Sequence, residues 1–248
     1  HSVLEALRAI ERAQSVFDRT SIDLIYALHG QSLHGWEGSL RQAVSIGLEH
    51  MSVYQLTIER GTNFYTRTSA GELLTAENDH AADLFELTNM VLEDGGYTAY
   101  EISNHAKPGA ECRHNLVYWR SQDWLGIGPG AHSRTTKKNQ RIGLTMRRNP
   151  DGWLSDVGCF GHGIEIEVVN RPHETIAEIL MMGLRLSEGV ELDRIVQLSE
   201  SLQDVINMKS LERMESSKFV ERKNGRLSIT AKGRPLLDSI LMELLAVD

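Results

Sequence analysis

The hydrophobic positions of the first 130 residues change repeatedly between a helical period and short apolar runs. Helical spacing of apolar residues predicts helices over residues 3–17, 34–47 and 78–96. We expect the second helix to end at Gly47, and the third to be capped by Thr75 and to end at Gly95-Gly96. The apolar runs predict four strands, SIDLIYAL (21–28), HMSVYQLTIE (50–59), YTAYEIS (97–103) and DWLGIGP (123–129). The first two runs are typical of strands buried on both faces of a parallel sheet. Alternating strands and helices predict βαβ units, and this number of strands corresponds to about half of a (β/α) barrel.

The pattern changes in the second half of the chain. Residues 135–172 begin with the polar run TTKKNQRIGLTMRRNPDGW, which predicts a connecting segment on the surface. After Pro172 the helical period returns, and FVERKNGRLSIT predicts a β-hairpin that turns at Asn224-Gly225 before a last helix capped by Thr230. We therefore expect three parts: a barrel part (1–134), a connecting segment (135–172) and a small helical, winged-helix-like domain (173–248).

Composition and charge exclude several functions. The chain has 34 Asp and Glu against 26 Lys and Arg, a net charge of −8, which argues against a nucleic-acid partner because phosphate contacts need clustered cations. No apolar run approaches the roughly 20 residues of a membrane span, so no transmembrane segment is predicted and a cytoplasmic location is expected. The two cysteines, Cys112 and Cys159, exclude a disulfide scaffold and a CxxC zinc site.

The segment ECRHNLVYWRSQDWLGIGPGAHS (111–133) concentrates residues that could hold a metal, a phosphate or a flat aromatic ligand. Its glycines match neither a P-loop nor a dinucleotide fingerprint, which leaves a structural turn or a loop close to a ligand. In HNLVY, His114 could ligate a metal or haem iron, and Asn115 could orient a ligand. Tyr118 and the following Trp119 offer flat apolar surface with a polar edge. His114 and Tyr118 share a helix face at i, i+4, although a purely structural histidine remains the alternative.

Asp23 interrupts an otherwise apolar strand. A carboxylate there is costly unless it is paired or meets a ligand. Chemistry in (β/α) barrels lies at the carboxyl ends of the strands, so we expect Asp23 to face a binding site. Gln55 or Thr57 on the next strand could share that site.

Four stretches occur together: IDLIYALHGQS, HMSVYQLTIERGTNFY, YEISNHAKPGAECRHNLVYWRSQDWLGIGPGAHS and MMGLRLSEGV. Together they resemble the oxygen-independent coproporphyrinogen III oxidase family of radical S-adenosylmethionine proteins, and most of all its haem-chaperone, HemW-type branch. The resemblance implies an α/β fold, the second half of a radical-SAM (β/α) partial barrel followed by a small helical, winged-helix-like C-terminal domain. It also implies that Asp23 and Thr57 bind S-adenosylmethionine. The family's HNxxY signature would place haem at His114, Asn115 and Tyr118.

Departures from the family pattern are also informative. The CxxxCxxC motif that binds the family's 4Fe-4S cluster is absent, and Cys112 and Cys159 cannot replace it, because three closely spaced thiolates are needed. No iron–sulfur site is therefore assigned to this chain, and we expect the cluster only in a longer protein of which this is the C-terminal portion. The family's glycine-leucine-proline-glycine turn reads ALHG here, and its phenylalanine after Ser-Asn is His105, an additional imidazole near the haem segment.

Three functions stay open on the sequence. The first is a haem chaperone that binds haem and delivers it to apo-proteins, which the HNLVY motif favours. The second is the oxidase that decarboxylates coproporphyrinogen III to protoporphyrinogen IX in porphyrin biosynthesis. The third is an inactive fragment that needs a missing N-terminal half. Whether the chain is an enzyme stays open, and no catalytic residue is assigned.

Overall fold

The computed structural model describes residues 2–199 and 201–245. Its contacts divide the chain into two compact units, one up to Cys112 and one from Arg113 onward. The helices of the first unit are α1 (Val3–Gln14), α2 (Leu33–Ser45), α3 (Asn63–Ser69) and α4 (Asn78–Asp94). Its strands are β1 (Ser21–Tyr26), β2 (His50–Gln55), β3 (Thr98–Ala99) and β4 (Asn104–Ala106).

The sheet of the first unit has the order β1-β2-β4-β3. Strands β1 and β2 are parallel, with Asp23 opposite Ser52, as the predicted βαβ unit requires. Strand β4 runs antiparallel to both β2 and β3, so the predicted all-parallel arrangement is wrong beyond β2. The predicted third strand, 97–103, is shortened to the two residues of β3, and β4 follows it unpredicted.

One face of β1 and β2 holds the core of the first unit. Tyr26, Met51 and Val53 are buried there with Leu40 of α2 and Leu84 of α4. The rings of Tyr26 and Trp36 stack at 5.6 Å, and the Trp36 indole N–H donates to Thr88 Oγ1 at 2.8 Å. The helices therefore cover one side of the sheet.

The opposite face of β1 is open. Asp23, Ile25 and Tyr54 are exposed there, because successive side chains of a strand alternate between its two faces. The prediction that β1 is buried on both faces is therefore wrong for the described residues. Asp23 is the third residue of a six-residue strand, so it lies mid-strand and not at the carboxyl end.

The ends of α2 and α4 follow from single residues. Gly47, just after α2, is left-handed with φ 80°, which confirms the predicted glycine termination. Gly96 does the same after α4 with φ 83°. The predicted cap of α4 at Thr75 is wrong: Glu77 occupies the N-cap position without a side-chain hydrogen bond, and Thr75 forms an isolated bridge with Leu28.

The turn after β1 places an alanine in a conformation that favours glycine. Ala27 has φ 61° and is 1% exposed. A left-handed residue with a Cβ costs on the order of 1–2 kcal/mol, so other contacts must hold the backbone there. The Ala76 N–H donates to the Ala27 carbonyl at 2.8 Å, and the His29 N–H donates to the Leu74 carbonyl at 2.9 Å.

The first half of the second unit is built around an antiparallel sheet. Its elements are α5 (Arg113–Trp119), β5 (His132–Lys137), β6 (Gln140–Met146), α6 (Pro150–Phe160) and β7 (Ile164–Val169). The sheet order is β5-β6-β7, and a two-residue turn at Lys138 and Asn139, both left-handed, joins β5 to β6. The segment 135–172 thus carries regular structure where the sequence predicted a polar surface connection.

Two further differences concern residues 113–134. The predicted fourth strand, 123–129, is wrong: only Trp124 is paired, in an isolated bridge with Arg134. The barrel part was predicted to extend to residue 134, whereas the contacts group residues 113–134 with the second unit. The segment with the HNLVY motif therefore packs with the elements that follow it.

The rest of the second unit has the winged-helix-like arrangement that the sequence predicts. Its elements are α7 (Pro172–Gly183), β8 (Val190–Glu191), α8 (Leu192–Val196), α9 (Met208–Ser216), β9 (Val220–Lys223), β10 (Arg226–Ile229) and α10 (Leu237–Leu245), with short 3-10 turns at Leu202–Asp204 and Arg234–Leu236. Asn224 and Gly225 are left-handed at the turn between β9 and β10, as predicted. Thr230 Oγ1 accepts the Gly233 N–H, but the last helix begins only at Leu237, so the predicted cap by Thr230 is wrong.

Candidate functional site

Helix α5 presents the HNLVY motif. The rings of His114 and Tyr118 meet at 4.8 Å between centroids with an interplanar angle of 79°, the contact expected from their i, i+4 spacing. His114 is exposed, whereas Asn115 and Tyr118 are half-buried. The imidazole is therefore accessible while Tyr118 limits the positions that it takes.

Trp124 extends this contact. Its ring meets the Tyr118 ring at 4.8 Å and 66°, so His114, Tyr118 and Trp124 form an aromatic ladder of edge-to-face contacts. Trp119, which the sequence offered as a flat surface beside Tyr118, is engaged elsewhere: the Arg185 guanidinium lies 4.7 Å from its ring centroid. The sequence did not assign Trp124 a role, since the contact depends on how residues 120–124 return to the helix.

Two arginines pack on the last ring of the aromatic ladder. The guanidinium carbons of Arg134 and Arg141 lie 6.0 Å and 5.6 Å from the Trp124 ring centroid. Glu178 of α7 pairs with both, at 3.0 Å from Arg134 Nη2 and 3.7 Å from Arg141 Nε. Burial lowers the pKa of the Arg141 guanidinium, and the charges of Glu178 and Asp123 oppose that shift. The Trp124 ring is thus in contact with two arginines that share the carboxylate of Glu178.

The glycine run is fastened to β5. The Trp124 N–H donates to the Arg134 carbonyl at 2.7 Å, and the Gly126 N–H donates to the buried Ser133 Oγ at 2.9 Å. A Cβ on Gly126 would lie well inside contact distance of the His132 carbonyl oxygen, so only glycine fits. Leu125 and Ile127 are 74% and 88% exposed. Close packing against the backbone of His132 therefore explains the glycine at position 126. This agrees with the structural turn that the sequence left open as an alternative.

His132 was passed over by sequence reasoning because it lies outside any paired-histidine spacing. It is exposed at the first residue of β5, and its Nδ1 lies 3.2 Å from Thr145 Oγ1. A hydroxyl bound to one ring nitrogen orients the imidazole and leaves Nε2 accessible. The signal that could have found it is its place directly after the glycine run.

The first unit holds the residues predicted for S-adenosylmethionine. Asp23 is exposed on the open face of β1 opposite Ser52, and Tyr54, two residues further along β2, is exposed on the same face. Thr57 is exposed two residues beyond the end of β2. The parallel pairing of β1 with β2 places Asp23 and Thr57 on the two neighbouring chain segments, Asp23 within β1 and Thr57 after β2.

The remaining candidate ligands that the sequence offered are His105 and the two cysteines. His105, the extra imidazole, is 2% exposed, and its Nε2 lies 3.2 Å from Asn89 Oδ1, so it is not an accessible ligand. Cys112 is half-buried and Cys159 exposed, both as free thiols. Within residues 2–199 and 201–245, no group of three or more His, Cys, Asp or Glu side chains is placed to hold a metal ion.

No helix in the described part of the chain is long and apolar enough to cross a membrane.

The second unit also contains a cavity of about 380 Å³ beside α5, α7 and β8. Trp119, Arg120, Glu188 and Arg194 contribute to its lining, and none of the predicted haem residues does. Arg120 pairs with Glu188 at 2.8 Å, and Arg194 donates to the Ser121 carbonyl at 2.8 Å. These bonds connect the residues that follow α5 to α8 and to the turn before β8.

Comparison of the sequence with known proteins shows which family the chain resembles. Residues 171–236 match the family model of the HemN C-terminal domain. The chain is 34% identical to the Heme chaperone HemW of Escherichia coli over 99% of its own length, and 32% identical to Radical S-adenosyl methionine domain-containing protein 1, mitochondrial, of Danio rerio, again over 99%. These similarities support a place for the chain in the HemN/HemW-like family of radical S-adenosylmethionine proteins, as the C-terminal part of such a protein. It spans 63% and 57% of the lengths of these two relatives.

A solved structure of the HemN/HemW-like family shares the fold. The chain superposes on the Escherichia coli coproporphyrinogen III oxidase, HemN, described as a radical SAM enzyme, with a TM-score of 0.74 at 20% identity, covering 99% of this chain and 59% of that one. The predicted α/β fold is thereby confirmed, and the sequence similarities support the predicted family. Because the relatives include both bacterial and mitochondrial proteins, the cytoplasmic location stays a prediction.

Proposed function

We propose that this chain forms the haem-binding surface of a haem chaperone, with His114, Asn115 and Tyr118 in contact with the porphyrin. The observation that carries the proposal is the exposed imidazole of His114 held edge-on against Tyr118 at 4.8 Å. An accessible imidazole nitrogen is a haem-iron ligand, and an aromatic edge packs well against a flat macrocycle. Bound haem would supply the iron centre, and these side chains would bind and orient it.

Charge around α5 supports the same ligand. Arg113 is exposed directly before His114, in the same helix. Haem carries two propionate groups, and an arginine guanidinium pairs with carboxylates through two parallel hydrogen bonds. The aromatic ladder and Arg113 therefore offer an apolar edge and a cation, the two features that an amphipathic porphyrin needs.

The chaperone is favoured over the oxidase by the degree of similarity. The relative named as a haem chaperone is 34% identical, whereas the solved oxidase is 20% identical and supports the fold alone. Delivery of haem to apo-proteins follows as part of the proposal. S-adenosylmethionine would lie at Asp23 and, by the family pattern, Thr57. Two cysteines are too few for a 4Fe-4S cluster, so none is assigned to this chain.

A haemin titration of the chain, followed by absorption spectroscopy, tests the proposal. We expect saturable one-to-one binding with a shifted Soret band, and at least tenfold weaker binding in His114→Ala. His173→Ala is the matched control, because His173 is also exposed but lies in the first turn of α7. Equal affinity in the wild type and both variants would show that HNLVY does not contact haem.

A parallel titration with iron-free coproporphyrin III separates chaperone from oxidase. A site that holds the iron through His114 loses haemin affinity in His114→Ala and keeps its weaker affinity for the iron-free ring. Tight binding of coproporphyrin III that does not depend on His114 would instead favour the oxidase, which acts on the tetrapyrrole and not on iron.

A further inference from the structure

The cavity beside α5, α7 and β8 has more cationic than anionic residues in its lining. Three arginines, Arg120, Arg194 and Arg226, line it together with two glutamates, Glu188 and Glu191. Its volume of about 380 Å³ lies within the range of clefts that bind small molecules. Since the charged residues of the lining leave an excess of one positive charge, the cavity favours an anionic ligand over a neutral or cationic one.

The protein's own carboxylates neutralise two of the three arginines. Arg120 Nε and Nη2 donate to the two carboxylate oxygens of Glu188 at 2.8 Å and 3.0 Å. Arg226 Nη1 donates to Glu191 at 2.6 Å, while its Nε and Nη2 donate to the carbonyls of Glu188 and Gly189. These two arginines therefore shape the cavity without offering it an uncompensated charge.

Arg194 of α8 is bound differently. Its Nη1 donates to the Arg120 carbonyl at 2.6 Å and its Nη2 to the Ser121 carbonyl at 2.8 Å. Among the described residues no carboxylate lies within ion-pair distance of Arg194, and its Nε donates to no protein acceptor. Carbonyl dipoles orient a guanidinium group but leave its full charge. A half-buried cation without a carboxylate is costly, and an anionic ligand would relieve that cost.

The electrostatics of Arg194 agree with this geometry. Burial lowers the pKa of the Arg194 guanidinium and the charge of Arg141 lowers it further, whereas Glu191 and Asp123 only oppose the shift. A guanidinium group has five N–H donors in one plane, and two of them already hold Arg194 against the backbone. The remaining donors are thus fixed in position before a ligand arrives, and a carboxylate accepts such donors in parallel pairs.

The rest of the lining is largely apolar. The buried side chains of Ile179, Leu186 and Val190 contribute to it, together with the indole ring of Trp119. The Arg185 guanidinium lies 4.7 Å from the centroid of that ring and holds it in place. A ligand that fits this lining carries an apolar body beside its charge.

We propose that this cavity binds a small monocarboxylate, whose carboxylate pairs with Arg194 and whose apolar body packs against Trp119 and Leu186. The site lies in the second unit and is lined by none of the haem residues His114, Asn115 and Tyr118. The proposal is therefore independent of haem binding at the HNLVY motif.

Calorimetric titration of the full chain with three matched probes tests the proposal. Benzoate has both the charge and the apolar body, benzamide lacks the charge, and acetate lacks the body. We expect saturable one-to-one binding of benzoate, at least about tenfold tighter than that of either other probe. Arg194→Gln should reduce the benzoate affinity to that of benzamide, and Arg194→Lys should lose less. Arg148→Gln, which removes an exposed arginine outside the cavity, should bind benzoate as the wild type does.

A second variant keeps the test decisive if Arg194→Gln does not fold, which its melting temperature shows. Glu191→Gln removes an exposed carboxylate from the lining and should tighten benzoate binding about two- to threefold without changing that of benzamide. Equal affinities for benzoate and benzamide, or no saturable benzoate binding, would overturn the proposal. So would a folded Arg194→Gln with wild-type benzoate affinity, or an unchanged benzoate affinity in Glu191→Gln. Acetate that binds as tightly as benzoate would exclude the apolar contacts.

Discussion

The rings of Tyr118 and Trp124 meet edge to face with centroids 4.8 Å apart, and Arg134 and Arg141 both place their guanidinium groups against the same Trp124 ring. Tyr118 is therefore supported by a ring that is itself fixed by charged groups of β5 and β6. Since Tyr118 in turn contacts His114, the position of the exposed imidazole depends on Trp124 and the two arginines as well as on its own helix.

Replacing Trp124 should affect stability and haem binding together. Trp124→Leu removes the contact with Tyr118 and both cation–π contacts, so we expect a loss of about 2–3 kcal/mol in the free energy of unfolding and roughly tenfold weaker haemin binding. Trp124→Phe, which keeps a ring, should lose less of both. Phe160→Leu is the control, because Phe160 is 71% exposed. Chemical denaturation and haemin titration measure the two effects, and unchanged haemin affinity in Trp124→Leu would contradict the role given to Trp124.

Glu178 should contribute more to the free energy of unfolding than an ordinary surface carboxylate does. Glu178→Gln leaves Arg141, which is 5% exposed, with Asp123 as its remaining ion-pair partner among the described residues. A nearly buried cation deprived of a carboxylate is costly, and because Glu178 itself is partly exposed we expect a loss of about 2 kcal/mol.

The matched change for this test is Glu37→Gln on α2. Glu37 pairs with Arg41 at 2.8 Å on an exposed helix surface, where such a pair contributes about 0.5 kcal/mol or less. Urea denaturation of both variants measures the difference. Equal losses would mean that the pairing of Glu178 with Arg134 and Arg141 adds nothing to a surface ion pair.

Gly126 and Gly158 should respond in opposite directions to alanine. Gly126→Ala forces a methyl group into the His132 backbone, so the loop must leave β5, and we expect a loss of at least about 2 kcal/mol. Gly158 lies inside α6 with nothing within 4 Å of an added Cβ, so Gly158→Ala should stabilise by about 0.5–1 kcal/mol. Thermal unfolding distinguishes them, and a tolerated Gly126→Ala would show that the loop moves freely.

His50 should make the first unit less stable in acid. It is 7% exposed, with Nδ1 2.7 Å from Ser21 Oγ and Nε2 2.9 Å from the Tyr100 hydroxyl. Burial lowers the pKa of His50 below its ordinary value of 6.5, an effect that Asp23 and Glu101 partly oppose. The unfolded chain therefore binds the proton first as pH falls, so this stability is complete above pH 6.5 and is lost progressively below it.

The comparison that isolates this effect is His50→Gln. We expect unfolding free energies measured between pH 8 and pH 5 to fall less steeply in His50→Gln than in the wild type. The difference between the two curves removes the contribution of all other titrating groups. Parallel curves would mean that His50 is protonated equally in the folded and unfolded states.

Sequence patterns predicted the elements whose cause is local. Helices α2 and α4 have apolar residues at helical spacing and end at glycines, and β1 and β2 are apolar runs. Strand β5, HSRTTK, has no apolar side chain, so no period in hydrophobicity could reveal it. It is held by its backbone pairing with β6 and by the contact of the Arg134 guanidinium with the Trp124 ring. The alternation in IEIEVV was a readable signal for β7.

The candidate site also combines contacts that local sequence predicts with contacts that only the fold determines. The contact between His114 and Tyr118 follows from helix spacing, which is visible in five residues of sequence. The positions of Trp124 and His132 depend on backbone pairing between the glycine run and β5, a tertiary contact that no single segment encodes. Asp23 was correctly placed in a strand, but its exposure depends on which face α2 and α4 cover.

Glu178 lies within residues 171–236, the stretch that matches the HemN C-terminal domain, while both arginines that it pairs with lie outside that stretch. A chimera that exchanges this domain between family members would therefore separate a carboxylate from the two cations that it neutralises. An incoming domain without an acidic residue at this place on α7 would remove that carboxylate from Arg134 and leave Arg141 with Asp123 as its remaining ion-pair partner among the described residues. The C-terminal domain and the aromatic ladder are therefore coupled through Glu178.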